Sequence, residues 1–326
     1  MSLELPKVSV KDLQEWSKLG EVLTSGHRLC AGCGAGIMAR QVTLAAKALG
    51  DPYMIVNATG CLEVATTIYP YTAWNAPWLH NAFENASATA SGAIEAMNAM
   101  QRKGLMREKH VNMIVFGGDG GTYDIGLQSL SGAIERGHDF LYVAYNNGAY
   151  MNTGIQRSGG TPQGAATTTS PAGSVIPGKI KWQKPLAEII AGHDIPTFTA
   201  SPAYPRDLMA KVQAGLKHDG PAFMLVDSSC NLGQRYPPDQ AIEVSKLAVK
   251  TCFFPLYYTY KDEWILTGIS ARIAKNPEKK LPVEDYLKPQ GRFRHLFKPE
   301  WKRKMMDIQD EIDEKWNRLV RKASLH

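Results

Sequence analysis

The sequence predicts an α/β fold built on a doubly wound, mostly parallel sheet, and three patterns lead to that prediction. Short, continuously apolar runs recur between residues 53 and 227, as expected for parallel strands that are buried on both faces. Segments with helical periodicity separate these runs, and several of them end at glycine. Glycine-rich loops follow several of the strands, at the edge of the sheet where ligands bind in such folds.

The expected strands and helices alternate along the chain. The strand candidates are YMIV (53–56), VNMIVF (111–116), FLYVAY (140–145) and AFMLVD (222–227). Helices are expected at 39–50, 86–104, 124–137 and around 206–217. In the third helix, Leu127, Leu130 and Ile134 share one face, and Gly137 follows its end. Such alternation is typical of a sheet that is covered by helices on both sides.

The chain is expected to contain three segments. They are an N-terminal arm (1–25), an α/β domain (26–236) and a C-terminal extension that contacts another subunit (237–326). Within the domain, the stretch from about 155 to 188 is rich in Gly, Ser, Thr and Pro and too long for an ordinary connection, so it is expected to be functional or disordered. After about 236 no further clear strand alternation is evident.

Composition indicates a globular protein, with 326 residues, 44% hydrophobic and 21% charged. The first twenty residues carry charges where a signal peptide would be apolar, and no run approaches the length of a membrane span. The expected compartment is therefore the cytoplasm. A basic run at 292–304 precedes acidic residues, which indicates a solvated or subunit-contacting helix. It lacks interleaved aromatic residues, so no nucleic-acid partner is expected.

A phosphate and metal site is predicted where the strand 111–116 runs into GGDGG (117–121). Glycine lets backbone N–H groups approach a phosphate, but Asp119 would repel a diphosphate unless a cation such as Mg²⁺ came between them. The next strand ends in NNGAY (146–150), so Asn147 can face the same ion. A nearby backbone carbonyl would supply the third protein ligand.

The five cysteines are an odd number in a reducing compartment, which argues against a disulfide framework and for metal-binding or catalytic thiols. They lie at positions 30, 33, 61, 230 and 252. The CAGC pair by itself allows a redox disulfide, half of a zinc site or two ligands of an iron–sulfur cluster. Cys61 and Cys230 follow strands at the same sheet edge, so four thiolates would be enough for a [4Fe–4S] cluster. For each cysteine taken singly, a buried free thiol is the alternative.

Several long motifs resemble the β subunit of 2-oxoacid:ferredoxin oxidoreductases, especially of the pyruvate enzymes. They are CAGCGAG, NATGCLEVATTIYPYTAWNAPWLHNAFENA, GGDGGTYDIGLQSLSGAIERGH and AYMNTGIQRSGGTPQGA. The resemblance covers roughly residues 25–300 and implies that the domain 26–236 carries thiamine diphosphate, Mg²⁺ and a [4Fe–4S] cluster. It also implies the reaction: a 2-oxoacid, pyruvate by default, reacts with coenzyme A to give acyl-CoA and CO₂, and the electrons pass through the cluster to ferredoxin.

Site residues follow from the same resemblance. The implied cluster ligands are Cys30, Cys33, Cys61 and Cys230, while Cys252 has no counterpart and is expected to be structural. The implied Mg²⁺ ligands are the side chains of Asp119 and Asn147 and the carbonyl of Ala149. The glycines expected to line the cofactor site are Gly60, Gly118, Gly120 and Gly121. Asn152 matches an asparagine that lies beside the substrate in relatives, and it is the catalytic candidate.

Partner subunits are implied as well. In relatives, a glutamate that activates thiamine diphosphate belongs to the α subunit, and ferredoxin-like γ and δ subunits carry further clusters, so this chain is expected to be inactive alone. The sequence has only one α/β domain and no other dense cysteine run. His80 and Glu84 are spaced for one face of a helix in WLHNAFENA, with a structural and a catalytic role both open.

Four alternatives stay open at this point. The run CNLGQR (230–235) departs from the Cys-Pro-Thr-Gly-Trp of pyruvate enzymes, so an aromatic or branched 2-oxoacid such as phenylglyoxylate or indolepyruvate is a second substrate candidate. The acceptor is ferredoxin or, through another subunit, NAD. A thiamine-dependent decarboxylase without electron transfer would have no need of four placed cysteines. A non-enzymatic iron–sulfur or zinc scaffold would have no need of the GDG and NN motifs.

Overall fold

A computed structural model of the protein describes residues 3–108 and 110–324. Its strands in these ranges are β1 (Tyr53–Ala58), β2 (Thr67–Ile68), β3 (Tyr71–Thr72), β4 (Trp78–Asn81), β5 (Asn112–Gly118), β6 (Leu141–Asn146), β7 (Thr197–Ala200), β8 (Ala222–Asp227), β9 (Tyr257–Tyr260) and β10 (Glu263–Leu266). Eight of these strands form one sheet in the order β10-β9-β7-β8-β6-β5-β1-β4, and β2 pairs with β3 in a small hairpin. Adjacent strands in the part β7-β8-β6-β5-β1-β4 of the eight-stranded sheet are parallel. At the other edge, β9 pairs antiparallel with both β7 and β10.

Helices cover both faces of the sheet. The α-helices in the described ranges are α1 (Val10–Trp16), α2 (Gly34–Lys47), α3 (Cys61–Thr66), α4 (Ala86–Arg102), α5 (Leu127–Glu135), α6 (Leu186–Ala191), α7 (Pro205–Leu216), α8 (Asn231–Gln234), α9 (Ala241–Lys250), α10 (Gly268–Lys275), α11 (Val283–Leu287) and α12 (Lys302–Ser324). Short 3₁₀ turns and one π-helical turn, Gly121–Ile125, connect them. None of these helices is long and apolar enough to cross a membrane.

Two hydrophobic cores lie on opposite sides of the sheet because successive strand residues point to opposite faces. On β1, Ile55 belongs to the core that α2 and α7 cover. Its neighbour Val56 belongs to the other core, which contains residues of α4, α5, α9 and α12. The four strands expected from apolar runs are confirmed as β1, β5, β6 and β8, and the doubly wound α/β fold is confirmed with them.

The edges of the sheet differ from the sequence expectation. The segment that contains His80 is not helical: β4 pairs in parallel with β1, with Ile55 opposite Trp78, so that a tertiary contact decides its conformation. The strands β9 and β10 form a hairpin after residue 236, where no strand was expected. Lys261 and Asp262 both have positive φ at its turn, of 49° and 65°. These short edge strands lack the continuous apolar run that marks the central ones.

The C-terminal part of the chain shares a core with the sheet. Ile308, Ile312, Trp316 and Leu319 of α12 are buried in the same cluster as residues of β5 and β6. The domain boundary at 236 and the contact of the extension with another subunit stay predictions. The basic run contains both exposed and buried side chains. Lys302 and Arg303 are exposed, whereas Arg292 is only 3% exposed.

The long connection between β6 and α6 lies over the carboxyl edge of the sheet. It contains no helix or strand between residues 154 and 185, all of which the structure describes. Ser158 and Thr161 within it are completely buried. Lys179 holds this part of the connection, because its ammonium donates to the carbonyls of Ser158, Gly159 and Thr161 at 3.3, 3.3 and 2.6 Å. The segment is therefore an ordered part of the sheet edge.

Candidate functional site

The carboxyl ends of β1, β5 and β6 open into one cleft of about 340 Å³. The glycines expected to line a cofactor site all border this cleft: Gly60, Gly118, Gly120 and Gly121. The expected magnesium ligands Asp119, Asn147 and Ala149 border it too. So do Cys61 and Asn152. Residues that are far apart in sequence thus converge because parallel strands bring their carboxyl ends to one edge.

Asp119 lies at the base of the cleft with its carboxylate held from two sides. It is 1% exposed. The hydroxyl of Ser158 donates to its Oδ2, and the backbone N–H of Asn147 donates to its Oδ1 at 3.4 Å. Burial raises the pKa of Asp119 to about 7, against the effect of these hydrogen bonds. A carboxylate in such a place is stabilised by a cation, and its hard oxygen donors suit Mg²⁺.

The turn after β6 places the second expected ligand. The side-chain oxygen of Asn147 accepts from the N–H of Ala149 at 3.3 Å, and that of Asn146 accepts from the N–H of Gly148 at 3.1 Å. Gly148 has φ of +82°, a conformation that favours glycine. Gln234 donates to the carbonyl of Asn147 at 3.0 Å, which ties the turn to α8. The turn is therefore fixed by its own side chains and by a distant helix.

The backbone of the GDGG segment forms one wall of the cleft. A Cβ built on Gly120 would lie 2.3 Å from the ring of Tyr150, so a larger residue there would displace the wall. The π-helical turn Gly121–Ile125 begins directly afterwards. Phe83 packs edge-on against Tyr150, with ring centroids 6.2 Å apart. Together they give a narrow, backbone-lined cradle of the kind that accommodates a phosphate group.

Of the four cysteines expected as cluster ligands, Cys61 borders this cleft, and the electrostatic influence of the other three on its thiol indicates that they lie nearby. Cys30 and Cys33 precede α2, Cys61 begins α3, and Cys230 precedes α8. The N–H of Gly34 donates to the carbonyl of Ser229 at 3.0 Å, which brings the CAGC segment next to Cys230.

The thiols are close enough to influence each other's ionisation. Burial, and then repulsion from the other three thiolates, raises the pKa of Cys61 to about 12. Burial also raises the pKa of Cys33 and of Cys230. Among residues 3–108 and 110–324, no three His, Cys, Asp or Glu side chains are grouped as a single metal ion would require. Cys252 lies apart from the four, buried near Lys280 and Asp313.

The short segment formed by Met151 and Asn152 contacts both the cleft and the cysteine-bearing loops. The thiol of Cys61 lies 4.0 Å from the side-chain oxygen of Asn152. On the other side, a Cβ on Gly233 would lie 2.1 Å from the sulfur of Met151, so this segment also abuts the loop that carries Cys230. Asn152 therefore lies at the cleft, next to the thiol of Cys61.

Several residues that sequence reasoning missed take part in the site. Ser158 contacts Asp119, and the hydroxyl of Thr161 donates to the carbonyl of Gly148 at 2.7 Å. The signs of them in the sequence were the length of the 155–188 segment and its overlap with the motif AYMNTGIQRSGGTPQGA. His80 lies at the cleft rim instead of on a helix. Its Nε2 is 2.8 Å from the hydroxyl of Thr59 and 3.7 Å from a carboxylate oxygen of Glu63.

Comparisons with known proteins agree with this geometry. The profile of the family described as "Thiamine pyrophosphate enzyme, C-terminal TPP binding domain" matches residues 58–226. A solved 2-oxoglutarate:ferredoxin oxidoreductase from Magnetococcus marinus shares the fold, with a TM-score of 0.51 and 19% identity over 67% of this chain and 76% of that chain.

Curated relatives are similar over nearly the whole chain. It is 48% identical over 317 residues to pyruvate synthase subunit PorB of Thermotoga maritima, covering 96% of each protein. It is 52% identical to the PorB of Methanocaldococcus jannaschii over 90% of this chain and 95% of that protein. Ketoisovalerate oxidoreductase subunit VorB of Pyrococcus abyssi is 39% identical, covering 92% and 93%. The chain therefore belongs to the family of 2-oxoacid:ferredoxin oxidoreductase β subunits that includes the pyruvate synthase subunits PorB.

Proposed function

We propose that this chain is the β subunit of a pyruvate:ferredoxin oxidoreductase. The complex converts pyruvate and coenzyme A to acetyl-CoA and CO₂ and passes two electrons to an acceptor, ferredoxin by default. One observation carries the proposal: the cradle around Asp119 and Asn147 also contains Asn152 and Cys61, and the thiol of Cys61 is influenced electrostatically by the other three cysteines. An enzyme that oxidises a substrate at thiamine diphosphate and removes electrons through a cluster needs both sites in contact.

Asp119, Asn147 and the Ala149 carbonyl would hold Mg²⁺, and the Mg²⁺ would supply positive charge for the diphosphate of thiamine diphosphate at this cleft. The buried carboxylate of Asp119 and the glycine wall support this assignment. The bound coenzyme supplies the electron sink that decarboxylation of a 2-oxoacid requires. The chain's own residues shape its site: Ser158 and the Asn147 N–H fix the carboxylate of Asp119, and the rings of Phe83 and Tyr150 pack edge-on where they line the cleft.

Cys30, Cys33, Cys61 and Cys230 bind a [4Fe–4S] cluster. Their number and their mutual electrostatic influence support a cluster. Bound iron would also offset the burial that disfavours the thiolates of Cys33, Cys61 and Cys230. Asn152 is exposed at the cleft, and its amide is placed to contact the substrate.

The chain acts in a cytoplasmic complex. An α subunit contributes the glutamate and the pyrimidine half of the coenzyme site, and ferredoxin-like γ and δ subunits carry the electrons onward. The names of the relatives support this, since each is a subunit. Residues 26–236 form the coenzyme and cluster domain, and 237–326 contribute contacts to a partner.

The test is CoA-dependent viologen reduction by the native complex, purified without oxygen. Pyruvate should be the best substrate in a panel that also contains 2-oxoisovalerate, 2-oxoglutarate, phenylglyoxylate and indolepyruvate. Release of thiamine diphosphate on denaturation, and iron and acid-labile sulfide bound to this chain, should accompany the activity. Absence of CoA-dependent reduction with every 2-oxoacid, in a complex that retains all subunits, would refute the proposal. A complex with coenzyme but no iron would instead indicate a non-redox thiamine enzyme.

A branched 2-oxoacid is the second candidate substrate. It is favoured by the 39% identity to a ketoisovalerate oxidoreductase subunit and by CNLGQR at residues 230–235. The higher identities of 48% and 52% to pyruvate synthase subunits support pyruvate as the first candidate.

A further inference from the structure

Lys179 is a buried cation whose hydrogen-bond partners are all backbone carbonyls. The residue is 7% exposed. In the part of the chain that the structure describes, no Asp or Glu forms an ion pair with its ammonium. The ammonium donates to the carbonyls of Ser158, Gly159 and Thr161 at 3.3, 3.3 and 2.6 Å, which can satisfy its three donors. A buried charge is costly without such compensation, so the ammonium and the three carbonyls fix each other's positions.

The backbone on either side of Lys179 is held by the same long connection. The N–H of Lys179 donates to the carbonyl of Ala165 at 3.0 Å, and the N–H of Gly164 donates to the carbonyl of Lys179 at 2.8 Å. Gly178 has φ of +84°, and a Cβ there would lie 2.5 Å from the carbonyl oxygen of Ala165. Backbone pairing therefore holds the base of the Lys179 side chain, and the three carbonyls hold its tip.

The loop of residues 158–161 contacts both elements that carry the expected magnesium ligands. The hydroxyl of Ser158 donates to Oδ2 of Asp119, which follows β5. The hydroxyl of Thr161 donates to the carbonyl of Gly148 at 2.7 Å, in the turn after β6 that carries the other two expected ligands. A group that fixes this loop therefore fixes both elements relative to each other.

The charges around the ammonium leave it protonated at pH 7. Burial lowers the pKa of Lys179 to about 8, and the charges of Arg157 and Lys184 act in the same direction. Asp124 and Asp119 act to raise it, although neither carboxylate pairs directly with the ammonium. The full charge therefore acts on the loop carbonyls at neutral pH.

We propose that Lys179 is a positioning residue for the magnesium and diphosphate site, and that it acts through Ser158 on Asp119. The inference rests on the proposed function. The ammonium holds the loop carbonyls, and the loop then presents the Ser158 hydroxyl to the carboxylate. Ligands that are already in place bind a cation without a cost for ordering them. Loss of Lys179 should therefore lower the affinity for the coenzyme with Mg²⁺, and not the rate of the reaction once the coenzyme is bound.

The test uses variants of the complete complex, purified without oxygen and titrated calorimetrically with thiamine diphosphate at fixed Mg²⁺ and pH 7. Lys179→Met and Ser158→Ala should each weaken binding, by roughly tenfold or more. The double variant should bind little more weakly than either single one, because both changes remove the same hold on Asp119. Lys181→Met, at an exposed position of the same connection, is the matched control and should bind like the unmodified complex.

Kinetics provide a second readout. With saturating Mg²⁺ and coenzyme, kcat of pyruvate-dependent viologen reduction in Lys179→Met should return to that of the unmodified complex, whereas the coenzyme concentration at half-maximal rate should rise. Lys179→Arg keeps the charge, but its planar guanidinium cannot meet three converging carbonyls in the way that an ammonium does. It should also bind the coenzyme more weakly, at unchanged saturated kcat.

Two results would overturn the inference. One is unchanged coenzyme affinity in Lys179→Met. The other is full additivity of the losses in the double variant, because Lys179 and Ser158 would then act independently. If Lys179→Met fails to assemble, Lys179→Arg decides: weaker binding at unchanged saturated kcat supports the positioning role, and unchanged binding or failed assembly refutes it. Absence of coenzyme binding by the unmodified complex would instead refute the proposed function.

Discussion

Ser158 donates its hydroxyl hydrogen bond to Oδ2 of Asp119, although 39 residues separate the two in the sequence. The contact is possible because the long connection after β6 lies over the sheet edge. Gly160 also donates from its N–H to the Ser158 hydroxyl oxygen at 3.1 Å, which fixes the direction of the hydroxyl. Ser158 thus holds the carboxylate of Asp119 in one orientation.

Ser158→Ala should weaken magnesium-dependent binding of thiamine diphosphate by roughly tenfold or more. A hydrogen bond to a charged group contributes about 1.5–3 kcal/mol, and the free carboxylate would have to be reoriented by the metal. Calorimetric titration of the coenzyme into the complex at fixed Mg²⁺ measures the effect. Ser174→Ala, at an exposed position of the same connection, is the control. Equal affinity in both variants would contradict this role of Ser158.

Substitution of single cysteines should show that Cys252, unlike the other four, is not needed for iron binding. Cys252→Ala should keep the full iron content of the complex, because Cys252 is 3% exposed and lies apart from the other thiols. Cys30→Ala and Cys230→Ala should each lower the iron bound to this chain. Iron and sulfide assays on anaerobic preparations measure this. Loss of iron in Cys252→Ala with iron retained in Cys30→Ala would show that the ligand assignment is wrong.

A buried ion pair away from the site should make a large contribution to stability. The ammonium of Lys211 is fully buried, and it lies 2.6 Å from Oδ2 of Asp207. It also donates to the carbonyl of Thr199 at 2.9 Å. Asp207→Asn leaves that buried charge unpaired and should cost about 3–5 kcal/mol of unfolding free energy, measured by urea denaturation. Glu243→Gln, in an exposed pair with Lys246, should cost less than about 1 kcal/mol. Similar costs for both would contradict the difference in burial.

The cost of Asp207→Asn should also depend on pH. Burial lowers the pKa of Lys211 below 10.5, while Asp207 acts to raise it, so removal of the carboxylate lowers it further. In the variant, Lys211 then binds its proton more strongly in the unfolded chain than in the folded chain. The loss of stability caused by Asp207→Asn is therefore complete at pH values below the pKa of Lys211 in the folded variant. As the pH rises toward 10.5, the deficit should shrink. Urea denaturation of the variant and the unmodified protein across this range tests the sign, and a deficit that grows with pH would contradict it.

The central strands and the glycine loops were predictable because their signals are local. Continuous apolar runs mark β1, β5, β6 and β8 wherever they lie in the chain, since these strands are buried on both faces. The GDG motif and the Asn pair follow two of those strands directly, so their convergence on one edge followed from parallel order alone. Short edge strands such as β4 and β10 carry no comparable run, and pairing with a neighbour decides their conformation.

By itself, the sequence determined the α/β class and the four central strands. Its long motifs also indicated which glycines, polar residues and cysteines belong to the candidate site. Only the tertiary structure decided that Ser158 reaches Asp119, that His80 lies on a strand, and that Arg292 is buried beside Gly148. The physical reason is range: propensity and hydrophobic period act over a few residues. A contact such as that between Arg292 and Gly148 depends on how whole layers pack, and a charged residue in a basic run carries no local sign that it will be buried.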